Sequence, residues 1–86
     1  MRVKFVDKKL LPMVTALNEI EGKGEIPIHY LTHAWQHYAG GEERYWTEPL
    51  LMAKKLFPKQ VIITTRQRPG GRHKIYVRVN GRLHHE

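Results

Sequence analysis

Val61-Ile62-Ile63-Thr64-Thr65-Arg66-Gln67-Arg68-Pro69-Gly70-Gly71-Arg72-His73-Lys74-Ile75-Tyr76-Val77-Arg78-Val79 carries the clearest structural signal in this chain. Val61 to Thr65 are β-branched without interruption, which crowds a helix and suits a strand. Lys74 to Val79 alternate, with Ile75, Val77 and Val79 on one face and Lys74, Tyr76 and Arg78 on the other. Between these runs, Pro69-Gly70-Gly71 supplies a tight reversal. The segment predicts one antiparallel hairpin with an arginine-rich tip.

Upstream of it the apolar period becomes helical. Thr47-Glu48-Pro49 places an N-cap, an acid and a proline in one first turn, so a helix is predicted from Thr47 to about Phe57. Its apolar members are Leu50, Leu51, Ala53, Leu56 and Phe57, and Pro58 closes it. Before it stands an acidic loop, Glu42-Glu43-Arg44-Tyr45-Trp46, and before that a helix ended by Gly40-Gly41. That helix starts near Pro27, after an extended Glu25-Ile26, and Ile28, Leu31, Trp35 and Tyr38 mark its buried side. A first helix is predicted from about Lys8 to Glu21, capped by Asp7, with Pro12 in its first turns. Leu10, Met13, Val14, Leu17 and Ile20 form its core stripe, and Gly22-Lys23-Gly24 ends it. Residues 1–7 read as a short strand or an ordered arm. Residues 80–86, after Asn80-Gly81, read as a loose tail. No repeat, linker or low-complexity tract divides the 86 residues, so a single domain is expected.

Composition narrows the function classes. No apolar run approaches the roughly 20 residues of a membrane helix, and Met1-Arg2-Val3-Lys4 is not followed by the pattern of a signal peptide. The chain has no cysteine, which removes disulfides, thiol catalysis and cysteine-ligated zinc and fits a cytosolic, cytoplasmic setting. It also has no serine, its single aspartate reads as a cap, and Glu42-Glu43 need not converge as an acid–base pair does. A non-enzymatic protein without a cofactor is expected. The net charge is +7, and it is segregated. Residues 1–48 carry six Lys/Arg against seven acids, whereas residues 49–85 carry nine Lys/Arg and no acid. Cations gathered on one face would attract a phosphate backbone. No helix pairs a basic face with the apolar face of a membrane-surface binder.

The order helix, extended piece, helix, capped helix, strand, basic turn, strand resembles the winged helix-turn-helix fold over roughly residues 8 to 79. The resemblance implies an α+β domain of three helices with a C-terminal β-hairpin wing, binding double-stranded DNA as a repressor or accessory factor; the small size and compact basic half would suit a protein of a phage, plasmid or other mobile element. It implies helix-side contacts from Lys54, Lys55 and Lys59, and wing contacts from Arg66, Arg68, Arg72, His73, Lys74 and Arg78. Two features depart from the family pattern. The Gly40–Trp46 connection is longer than a strict helix-turn-helix turn, and the third helix lacks a set of Asn, Gln or Arg base readers. Lysines there point to backbone contact. Winged-helix-like proteins often act as dimers, so a homodimer is a possible partner state, although no heptad or clear self-complementary patch stands out in this sequence.

Several side-chain groups offer particular chemistry. Arg68 and Arg72 flank a rigid tip that can space guanidinium groups for phosphates or a narrow minor groove. Lys54 and Lys55 also complement the helix macrodipole. His29, His33 and His37 form a row at four-residue spacing; two could share a metal, but no third ligand completes a site, and an exposed polar face is the reading adopted. Tyr76, between Lys74 and Arg78, could stack an unpaired base, so RNA or single strands are a rival ligand. Tyr45 and Trp46, expected to be exposed in a polar loop, raise a second rival, a protein-interaction module or inhibitor docking on an acidic partner.

Overall fold

The computed structural model describes residues 8–41, 45–67, 69–71 and 73–84. Three helices, α1 (Leu11–Glu19), α2 (Ile28–Ala39) and α3 (Thr47–Leu56), accompany three strands, β1 (Ile26–Pro27), β2 (Val61–Gln67) and β3 (His73–Val79). The strands form one antiparallel sheet in the order β1-β3-β2. The class is therefore α+β.

The hairpin forms where the β-branched run predicts it, extended to Gln67 and His73, which face each other across the turn. Gly70 and Gly71 both have positive φ (102° and 87°), a conformation L side chains rarely adopt, so the tip depends on them. The predicted extended piece before α2 is more than a connector. Ile26 and Pro27 pair with Val77 and Tyr76, which adds a third strand to the hairpin.

The sheet lays one face on the helices. Val61, Val77 and Val79 are buried there, with Ile63 half-buried beside them. They share one core with Met13, Val14, Ala16 and Leu17 of α1, Leu31 and Trp35 of α2, and Leu50 and Ala53 of α3, with Phe57 just beyond it. Among the described residues no polar or charged side chain is buried.

Four expectations are corrected. α1 starts at Leu11, not Lys8, because a helix begun at Lys8 would require a Pro12 N–H for the Lys8 carbonyl; the Asp7 cap lies outside the described residues. Thr47 makes no capping hydrogen bond and is the first helical residue, with Trp46 at the N-cap position. Tyr38 leaves the buried stripe of α2: it is 40 % exposed, and its hydroxyl donates to the Glu19 carboxylate at the end of α1. Residues 80–84 are not a loose tail. Leu83 is 1 % exposed, its N–H donates to Asn18 Oδ1 at 2.7 Å, and its carbonyl accepts from Asn18 Nδ2 at 3.1 Å.

Candidate nucleic-acid interface

Alternation along β2 and β3 divides the hairpin into an inner, apolar face and an outer one. Opposed residues share a face. Ile62 opposes Arg78, Thr64 opposes Tyr76 and Arg66 opposes Lys74, so Arg66, Lys74 and Arg78 gather around Tyr76 on the outer face. All three cations are exposed.

Arg66 is already engaged. Its guanidinium lies 5.0 Å from the Tyr76 ring centroid and reaches across β3 to Glu25, Nη2 to Oε1 at 2.5 Å. Glu25 stands just before β1, so the cation, the ring and the carboxylate link all three strands. Glu25 is an acid of the front half that neutralises part of the basic half. Tyr76, half-buried, has one side of its ring covered by the guanidinium.

The other predicted contacts divide into groups. Lys74, Arg78, His73, Lys55 and Lys59 are exposed and make no ion pair among the described residues. Lys54 is half-buried, and its Nζ donates to the Pro58 carbonyl at 2.9 Å, which caps the end of α3. Arg68 and Arg72 lie outside the described residues. Lys55 projects from α3 opposite the buried Leu50 and Ala53, on the helix side of the sheet, so it does not share the outer face of the hairpin. The basic half is thus not gathered onto a single surface. Its described cations are divided between the sheet, α3 and the segments flanking the hairpin, where Lys59 and Arg82 are exposed.

The exposed face of α3 was not anticipated. Leu51 is 56 % and Met52 45 % exposed, with Tyr45 83 % exposed nearby, and no Asn, Gln or Arg stands among them. Trp46, expected beside Tyr45 in solvent, packs against the core instead. On α2, His29, His33 and His37 are all exposed in one row. No group of three metal-ligating side chains forms among the described residues. No helix among them is long and apolar enough to cross a membrane. Comparison with protein-family models, with curated proteins and with solved structures finds no match.

Proposed function

We propose that this protein is a non-enzymatic nucleic-acid-binding domain of winged-helix architecture that grips the phosphates of duplex DNA with its hairpin. The architectural part is supported by the order α1-β1-α2-α3-β2-β3 and by the way a two-residue strand completes the hairpin sheet. The observation that carries the functional part is the outer face of β2 and β3. There Lys74, near the turn, and Arg78, toward the far end of the ladder, are exposed and make no ion pair among the described residues. Lys59, in the turn that leads out of α3, adds a cation at the other end of β2.

In this reading affinity is largely indifferent to sequence, because the exposed side of α3 presents Leu51 and Met52 where a base reader needs Asn, Gln or Arg. The role that follows is an accessory factor, or a repressor that acts by occupancy. Duplex is favoured over single strands because Arg66 already covers one side of the Tyr76 ring.

Fluorescence-anisotropy titrations of duplex DNA, RNA and single-stranded DNA at two or more salt concentrations test the proposal. Replacing both Lys74 and Arg78 with Ala should weaken duplex binding on every sequence tried. It should also flatten the log–log salt dependence by about 0.9 per lost phosphate contact. The same treatment of Arg68 and Arg72 tests the tip. An unchanged slope in both variants, or no affinity for any nucleic acid at physiological salt, would refute the reading.

A further inference from the structure

The side of α3 turned away from the core reads Glu48, Leu51, Met52, Lys55, the spacing of neighbours along one helix face. Its two central residues are apolar and more than two-fifths exposed, which an isolated surface helix gains nothing by showing to water. Shallow clefts flank the ridge. One of about 710 Å³ is lined by Trp35, Ala39, Tyr45 and Met52, and one of about 540 Å³ by Tyr45, Leu51 and Lys55.

From this we infer that α3 is the interface of a two-fold homodimer, packed antiparallel against α3 of a second copy. The order of charges identifies the occupant. An axis passing between positions 51 and 52 brings Glu48 of each copy opposite the partner's Lys55, and Leu51 opposite the partner's Met52. Two ion pairs then bracket a four-residue apolar centre, as an isologous interface requires. Within one copy, Glu48 and Lys55 are about 10.5 Å apart along the helix axis, too far to pair, and neither has an ion-pair partner among the described residues. A uniformly acidic or uniformly basic partner would meet one of them as a like charge, whereas a second copy satisfies both. Antiparallel packing also sets the positive end of each helix dipole beside the negative end of the other.

The inference is independent of nucleic-acid binding and is tested without it. Sedimentation velocity of the whole chain across a concentration series should show a concentration-dependent species of twice 10.2 kDa. Glu48→Lys and Lys55→Glu, at exposed positions that leave the core intact, should each raise the dissociation constant at least about tenfold by opposing like charges. An equimolar mixture of the two variants should associate again, because each then supplies the charge the other lacks, and the double variant should dimerise with itself. A wild-type protein that stays monomeric at every concentration would overturn the proposal. So would single reversals that dimerise as well as wild type, or a mixture that fails to re-associate while the circular dichroism of both variants stays native.

Discussion

Asn18 spends both ends of its side-chain amide on the backbone of Leu83, 65 positions away. Asn18→Ala leaves a backbone donor and acceptor without their partners beside the core, and urea unfolding should show a loss of about 1–3 kcal/mol. A second contact outside the strands is the Tyr38 hydroxyl on Glu19, which joins α2 to α1 at the surface. That hydrogen bond holds the phenol above its ordinary pKa of 10.0, with desolvation and the carboxylate charge adding in the same direction. A raised folded-state pKa favours the protonated phenol in the native state. The contribution to stability is therefore fully present below pH 10 and is lost as pH rises through the folded value. Thermal melts of wild type and Tyr38→Phe should accordingly differ at neutral pH and converge at strongly alkaline pH.

Among the elements, the sheet carries a contact that opposes its proposed use. Glu25 neutralises Arg66 across β3, and because the pair is exposed its share in stability is small, about 0–1 kcal/mol. Glu25→Gln should leave the melting curve nearly unchanged while freeing a guanidinium on the outer face. Duplex affinity should rise and the salt slope should steepen by about one. A large stability loss with no gain in binding would show the pair to be structural alone. α3 uses its basic end differently from the hairpin, since Lys54 is taken up by the Pro58 carbonyl. α2 ends where Gly40 turns to φ 100°, a stop that any residue with a Cβ would adopt under strain.

For the molecule as a whole, the core is closed from both ends of the described chain. α1 supplies its floor, and Leu83, four residues past the last strand, fills a place fully shielded from water. The Gln60 amide supports this return. Its Nε2 lies 3.5, 3.3 and 3.1 Å from the carbonyls of Asn80, Gly81 and Arg82. Leu83→Ala should cost about 2–5 kcal/mol in chemical denaturation, as expected for a core residue and not for a tail. If the variant unfolds with the wild-type midpoint, residues 80–84 are held by something other than packing. Charge divides at this level too: the hairpin strands carry cations without acids, whereas the exposed face of α3 carries Glu48 and Lys55, with Lys54 taken up by the Pro58 carbonyl.

The helices, the hairpin and most of the core stripe were legible because each depends on local periodicity. Leu10, Met13, Val14 and Leu17 repeat as a helix face does, and Val61 to Thr65 cannot form a helix cheaply. Tyr38 and Leu51 were not legible. Both sit at apolar positions of a helical pattern, and whether such a position faces the core depends on which neighbour packs there. The same holds for Leu83, whose burial depends on Asn18 far upstream, and for Arg66, whose partner Glu25 comes near only once β1 has paired with β3. The nine cations could be counted in advance, but not their directions. Local propensity acts over a few residues, whereas burial, ion pairing and a shared face depend on separations in space that residue order does not encode.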